Sequence, residues 1–345
     1  MRAKDHGFRQ PAEWAQHVAV WTAWPHLSQE WAEGLDGPRD ALAQMIAAIV
    51  DRGPTGPRGE RVELLCIDAV AEADARERLG AAAGGVRFHR AYYGDVWLRD
   101  TGPIVVVRDH ERVAACFQWN GWGGKYLMPG DAAVSTWVAG AAGLPAWPQG
   151  FVLEGGAVEV DGEGTVLTTK QCLLGGSRNP DLDQAAATAL LEAALGADRV
   201  VWLDRGLAND HTDGHIDTLA RFVAPGVVAA MAPAAADPNR DALDGILADL
   251  RAATDARGRR LEVVTVPSPG AVLDGDGALM PASYMNFYIG NTTVVVPTYR
   301  AATDDAAVAA IAALFPGRRT VGVDCYPILV GGGGFHCTTQ QEPAP

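Results

Sequence analysis

Stretches with helical apolar spacing alternate with short β-rich runs along all 345 residues, and this alternation is what most limits the folds open to the chain. Apolar residues recur three and four apart in DALAQMIAAIVDR (40–52), DAVAEADARERLG (68–80), DLDQAAATALLEAAL (181–195), RDALDGILADLRAATDARG (240–258) and DDAAVAAIAALFP (304–316), which predicts helices there. Between them VELLCI, GPIVVV, AVEV, TVLTT, TLARFV, GVVAAMA, EVVTVP, NFYIGNTTVVVP and TVGVDC read as strands. The class that follows is α/β. The length fits one large domain or two ordinary ones. No Ser/Pro-rich linker or long charge block divides the chain, so a single domain over 1–345 is expected.

Near the end, GGGGFHCTTQQEP sets His336 and Cys337 in a glycine-lined turn, where a thiol is expected to be reachable rather than packed away. The other cysteines, Cys66, Cys116, Cys172 and Cys325, sit in apolar or strand-like surroundings and read as core. Five widely spaced cysteines without a CxxC pair indicate neither a disulfide framework nor a zinc site. A nucleophilic thiol needs a base and a charged setting. DHTDGHIDTLARF offers His215 and Asp217, two apart and, on a strand, on one face. EGGAVEV sets Glu154 before a glycine pair, and VWLRDTGPIVVV sets Asp100 at a break that Gly102 and Pro103 enforce. Taken alone, the alternation His211, Asp213, His215, Asp217 also reads as a metal-ligand face.

One cysteine, one histidine and three carboxylates suit a planar cation. Two carboxylates can take the N–H groups of a guanidinium in paired, charge-assisted hydrogen bonds and expose its central carbon to sulfur. The chain resembles the Porphyromonas-type peptidylarginine deiminase family, which includes the agmatine deiminases. The motifs that carry the likeness are PAEWAQHVAVWTAWPH, WLRDTGP, WNGWGGKY, EGG at 154–156, NDHTDGHIDTLARF, PASYMNFYIGN and GGGGFHCTTQQEP, in order from Pro11 to Pro343. The resemblance implies the pentein fold, a five-bladed α/β propeller of ββαβ-type units with the site on its central axis. Asp100, Glu154, Asp217, Asn286 and Cys337 recur about 50 to 70 residues apart, in agreement with such a repeat.

The resemblance also implies roles. Cys337 is the nucleophile, His215 the general acid and base, Asp100 and Asp217 the guanidinium clamps, Glu154 a supporting carboxylate and Asn286 a polar lining residue. Trp97, Trp122 and Trp21 are candidates to flank the cation, and the run Gly331 to Gly334, with Gly334 assigned to substrate binding, allows close backbone approach beside the thiol. The implied reaction is hydrolytic deimination of a guanidino compound, agmatine to N-carbamoylputrescine and ammonia first among them. Free arginine, peptidylarginine and transfer of the amidino group to an amine are the alternatives. No metal or organic cofactor is implied. Arg178, Lys125 and Arg300 are the cations that could meet the carboxylate of a free arginine. Lys170 and Gln171, and LMPGDA after WNGWGGKY, depart from the agmatine-specific pattern.

A net charge of −14 and a pI near 4.9 disfavour nucleic acid and anionic membranes as partners and suit a cationic small molecule. Hydrophobic residues make up 48% of the chain with no apolar run near the ~20 residues of a membrane span. The start, MRAKDHGFRQPAEW, lacks an apolar stretch of the secretory kind, so a cytoplasmic location is expected. A homodimer is compatible with all of this.

Overall fold

A computed structural model describes residues 2–345, so Met1 at the head of the expected 1–345 domain lies outside it. Among the described residues, five sheets repeat one pattern: a first strand antiparallel to a second, which runs parallel to a third reached through a helix. Ile104–Arg108 and Glu111–Gln118 lead through helix Asp131–Ala141 to Ala146–Val152. Glu159–Val160 and Thr165–Thr169 lead through Gln184–Leu195 to Arg199–Leu203. Ala220–Ala224 and Val227–Ala232 lead through Arg240–Ala252 to Glu262–Pro267. Tyr288–Ile289 and Thr293–Thr298 lead through Asp304–Leu314 to Arg319–Asp324. The fifth sheet joins the two ends of the chain. Gln340–Pro343 pairs antiparallel with His17–Ala23, which runs parallel to Arg61–Cys66 after helix Asp36–Val50, and Val86–Arg90 adds a fourth strand.

The helices form where spacing and caps agree. In Arg240–Ala252 the buried face is Leu243, Ile246, Leu247 and Leu250, three and four apart. Asp68 caps the helix Ala69–Leu79 by accepting from the N–H groups of Val70 and Ala71 at 2.9 and 2.8 Å, and Asp183 does the same for Gln184–Leu195 through Ala186 at 2.8 Å. All five expected helices are present. Helix Asp131–Ala141 was not expected, because in DAAVSTWVAGA the apolar residues are diluted by Ala, Ser and Gly. The run NFYIGNTTVVVP, expected as one strand, is a hairpin broken at Gly290 to Thr292. Among the described residues, no helix is long and apolar enough to cross a membrane.

One regularity positions the site. The first strand of each sheet is entered through a short turn that carries a candidate residue: Asp100 before Ile104, Glu154 before Glu159, Asp217 before Ala220, Asn286 before Tyr288 and Cys337 before Gln340.

Candidate active site

Those five turns converge. Asp100 lies on the one-turn helix Leu98–Thr101, which Gly102 and Pro103 end before the strand. Glu154 caps the turn Gly155–Ala157, and both glycines are needed for close packing. A Cβ on Gly155 would stand 2.2 Å from the Arg99 carbonyl oxygen, and one on Gly156 would stand 2.5 Å from His215 Nδ1. His215 and Asp217 belong to the turn Ile216–Thr218 and its N-cap, not to a strand as the alternation had suggested. The loop before it is tied by Asp210, which accepts from the N–H groups of Thr212 and Gly214. His211, Asp213, His215 and Asp217 therefore share no strand face. His211 meets the Tyr126 hydroxyl, and Asp213 pairs with Lys125 and Arg178.

Cys337 is 4% exposed, so the turn is packed where it was expected to be open, but the residue lines a cavity of about 150 Å³. Its Sγ lies 3.1 Å from Asn286 Nδ2 and 3.5 Å from Asp217 Oδ2, while its N–H donates to Asn286 Oδ1 at 3.1 Å. Asn286 is thus a holder of the cysteine from both sides, not a strand asparagine serving its own turn. Trp97 and Trp122 line the cavity together with Asp95, Asp100, Gly331, Gly332 and Gly333. Gly334 is packed behind the wall, where a Cβ would meet Asn286 Oδ1 at 2.5 Å. Trp21 is elsewhere: it stacks on His89 and donates Nε1–H to Glu342 Oε2 at 3.0 Å, so it does not flank the cavity.

Behind Asp100 and Cys337, which line the cavity, lies a buried arrangement of charge. Asp100 Oδ2 accepts from Trp122 Nε1 at 2.9 Å and its Oδ1 from the Gly156 N–H at 3.0 Å. His215 lies between two carboxylates, Nδ1 3.7 Å from Asp100 Oδ1 and Nε2 3.9 Å from Glu154 Oε2. Glu154 Oε1 accepts from Arg178 Nε at 3.0 Å. Asp217 Oδ2 faces His336 Nδ1 at 2.8 Å, and His336 Nε2 faces Glu13 Oε1 at 2.7 Å. Glu154 Oε2, Asp217 Oδ1 and both ring nitrogens of His215 have no hydrogen-bond partner, although all three side chains are fully buried. Buried polar atoms left without a partner cost free energy, and here several of them belong to one group of side chains.

Protonation follows from the setting. Burial lifts Asp100 to about 6, with Asp217 and Glu154 adding to the rise and His215 opposing it. Burial also lifts the Cys337 thiol well above its ordinary range, reinforced by Asp217 and Asp100, so the resting sulfur is protonated. Burial would lower His215, but Asp100, Cys172 and Glu154 together hold it well above the ordinary histidine range. Burial would raise Asp217 and Glu154, yet Asp217 is held low by His336 and Glu154 by His215 and Arg178. Burial, Arg221 and Arg99 push the proton off His336, whereas a carboxylate oxygen close to each ring nitrogen calls for N–H on both. The contacts weigh more, since a bare nitrogen lone pair against a buried carboxylate would be repulsive.

The cations named for a free arginine's carboxylate are engaged elsewhere: Arg178 with Glu154 and Asp213, Lys125 with Asp213, Arg300 with Asp324. Asp95, Glu30, Tyr126, His211 and Thr212 also line the cavity and were not anticipated. Asp95 and Tyr126 could have been found, since each lies inside or beside a quoted tryptophan motif; Glu30 carried no signal. Glu13, Arg99 and Arg221, which brace His336 from behind, were also missed. Among the described residues, two groups bring three ligand atoms within 4.8 Å of one another: Glu154, Cys172 and His215, and Glu13, Glu159 and His336. The second is already saturated by Arg99 and Arg221.

A thiol, an imidazole and three carboxylates beside one another can hold a planar cation, attack it and move its protons. The model of the Porphyromonas-type peptidyl-arginine deiminase family matches residues 9–343. The chain belongs to this family. The agmatine deiminase of Ectopseudomonas mendocina is 35% identical over 98% of this chain and 96% of its own length, and that of Pseudomonas fluorescens is 35% identical over the same shares. The solved agmatine deiminase of Enterococcus faecalis superposes with a TM-score of 0.91 at 30% identity, covering 99% of this chain and 98% of its own. The family's pentein fold accounts for the five repeated sheets.

Proposed function

We propose that the protein hydrolyses a small guanidino compound, agmatine, to N-carbamoylputrescine and ammonia through a covalent adduct on Cys337. The observation that carries this reading is the set of unpartnered buried atoms, Glu154 Oε2, Asp217 Oδ1 and the two nitrogens of His215, with the other Asp217 oxygen 3.5 Å from the Cys337 thiol. A guanidinium offers five N–H donors in a plane and would satisfy the two oxygens. The cavity, smaller than the roughly 300–1,000 Å³ of drug-sized sites, favours a small molecule. Its lining carries the acids Glu30, Asp95 and Asp100 and neither lysine nor arginine, which favours an ammonium tail over a carboxylate. The relatives named above as agmatine deiminases support the same substrate. The five sheets are read as the blades of a propeller whose axis runs through this pocket.

Binding of the cation offsets the charges of Asp217 and Asp100 that hold the proton on sulfur; the proton leaves to solvent and the thiolate attacks the guanidinium carbon. Protonated His215 gives its proton to a terminal nitrogen, ammonia departs, and an S-alkylthiouronium remains. His215, now neutral, takes a proton from water and the hydroxide adds to the same carbon; the C–S bond then breaks as the adduct's hydroxyl proton passes to the leaving sulfur, which releases the neutral ureido product and restores the thiol and the protonated His215. Asp100, Asp217 and Glu154 hold the plane throughout.

The test is ammonia release from agmatine, arginine, short guanidino acids and an arginine peptide. Agmatine is expected to react fastest, with Cys337→Ala inactive and Cys337→Ser still able to bind. Undiminished turnover by either variant, or silence with every compound, would overturn the reading.

A further inference from the structure

We propose that Glu154, Cys172 and His215 form a binding site for a thiophilic divalent cation of zinc's ligand preference, and that its occupation removes His215 from proton transfer. Cys172 has no part in holding a guanidinium, yet it is fully buried beside two side chains that do. Its position is fixed by the short helix Lys170–Leu174, where its N–H donates to the capping hydroxyl of Thr169 at 3.2 Å. Glu154 is anchored through Oε1 by Arg178, which leaves Oε2 free, and the His215 N–H donates to Thr212 Oγ1 at 3.2 Å. One ligand atom from each residue lies within 4.8 Å of the others, and Glu154 Oε2 is 3.9 Å from His215 Nε2. Zinc bonds of about 2.0–2.3 Å would draw the three together by roughly 1 Å.

The donor set is what selects the ion. One thiolate, one imidazole and one carboxylate are the ligands of a borderline-soft metal, whereas calcium and magnesium require six or more oxygens. Two anionic ligands and one neutral one balance a dication. Glu154 Oε2 and the His215 ring nitrogens, on fully buried side chains, have no well-formed hydrogen bond, so the ion would compete for them with the guanidinium. Binding breaks the S–H bond of Cys172 and an N–H bond of the protonated His215 ring, forms the sulfur–metal and nitrogen–metal bonds, and releases both protons to solvent. Of the residues that line the cavity, Asp100 lies 3.7 Å from His215 Nδ1 and Thr212 accepts from the His215 backbone N–H. The loss of proton transfer rests on the proposed function; the binding itself does not.

Full-length protein freed of metal and titrated with Co²⁺ tests the site directly through the near-ultraviolet thiolate-to-cobalt absorption band. We expect one equivalent to develop the band in the wild type and in Cys337→Ser, Zn²⁺ to displace it, and Cys172→Ser to lose it with at least a tenfold weaker affinity. Glu154→Gln should weaken binding while keeping the band. No band in the wild type overturns the site, as does a band that survives Cys172→Ser, or one lost in both cysteine variants. Should Cys172→Ser fail to fold by circular dichroism, a single-sulfur shell at about 2.3 Å in X-ray absorption of zinc-loaded Cys337→Ser serves instead, and its absence overturns the site. Ammonia release is read in parallel. Zinc bound as expected with undiminished turnover overturns the inhibitory clause, whereas correct cobalt spectra with no turnover on any guanidino compound overturn the proposed function and leave the site standing.

Discussion

Trp122 shows how one side chain does two things at the pocket. Its ring walls the cavity and its Nε1–H donates to Asp100 Oδ2, a bond to a buried carboxyl that favours the ionised form. Trp122→Phe keeps most of the wall and deletes the donor, at a cost of about 1.5–3 kcal/mol for a bond to a charged group. A fall in kcat/KM of about 10- to 100-fold is expected. Trp119→Phe is the control, because Trp119 packs edge-on against Trp122 at 4.5 Å but its own Nε1 has no partner; it should change kcat/KM little. Steady-state kinetics on both variants decides it. Asp131 gives a pH prediction away from the chemistry. It is buried, its Oδ1 accepts from the Gly94 and Asp95 N–H groups, its Oδ2 has no partner, and burial lifts it to about 6 from an unfolded value of 3.8. A raised carboxyl keeps its proton in the fold while the unfolded chain has already released it, so this group costs stability as pH rises from about 4 to 6, and the cost is constant above that. Asp131→Asn retains the accepting oxygen and removes the titration. Its stability relative to the wild type should improve by on the order of 2–3 kcal/mol between pH 4 and pH 8, read from urea unfolding at each pH; an unchanged difference across that range would refute the assignment.

At the scale of the element, the glycines separate turns that carry function from helices that merely carry the turns. Gly245, inside Arg240–Ala252, has open space where a Cβ would go, so Gly245→Ala should stabilise the protein by about 0.5–1 kcal/mol with activity untouched. Gly156 is the opposite case. A Cβ there would meet His215 Nδ1 at 2.5 Å, Asp100 Oδ1 at 3.0 Å and Asp217 Oδ2 at 3.1 Å, so Gly156→Ala should cost at least 100-fold in kcat, since about 1 Å of displacement at a reacting group has that effect. Thermal unfolding and kcat for both variants check the pair. This contrast also explains what could be read beforehand. Helices such as Arg240–Ala252 announce themselves by leucines at helical spacing, and turns such as EGG and DTGP by their glycines. Helix Asp131–Ala141 and the strand His17–Ala23 did not, because their burial comes from distant partners rather than from local pattern. The alternation of His215 and Asp217 put both on a strand face, whereas the real element is a single helical turn that buries both anyway. A period of two over four residues does not distinguish these.

The whole molecule explains why residues from opposite ends of the chain meet at one sulfur. Gln340–Pro343 pairs with His17–Ala23, so the turn holding Cys337 is clamped by the first strand, and Glu13 from the segment just before that strand reaches the back of the site. Glu13 contacts Arg99, Arg221 and His336 at once, while Arg221 also takes Glu159 and the carbonyl oxygens of Met285 and Phe287. All five sheets thereby contribute, directly or through the turns that enter them, to one buried network behind Asp217 and Cys337. Burial would raise Glu13, but the two guanidiniums and His336 hold it well below the ordinary carboxylate range, so it is a full negative charge among buried cations. Glu13→Gln keeps the shape and removes the charge, leaving Arg99 and Arg221 undercompensated. Breaking a buried pair in this way costs about 3–5 kcal/mol, and the loss should appear in urea unfolding as a lower midpoint with an unchanged slope, because the native state stays compact. Activity should fall with it even at temperatures where the variant is fully folded, since His336 loses the carboxylate that orients it towards Asp217. A Glu13→Gln protein as stable and as active as the wild type would show that the network behind the pocket is filler, and that the convergence of the five turns is held by their own packing alone.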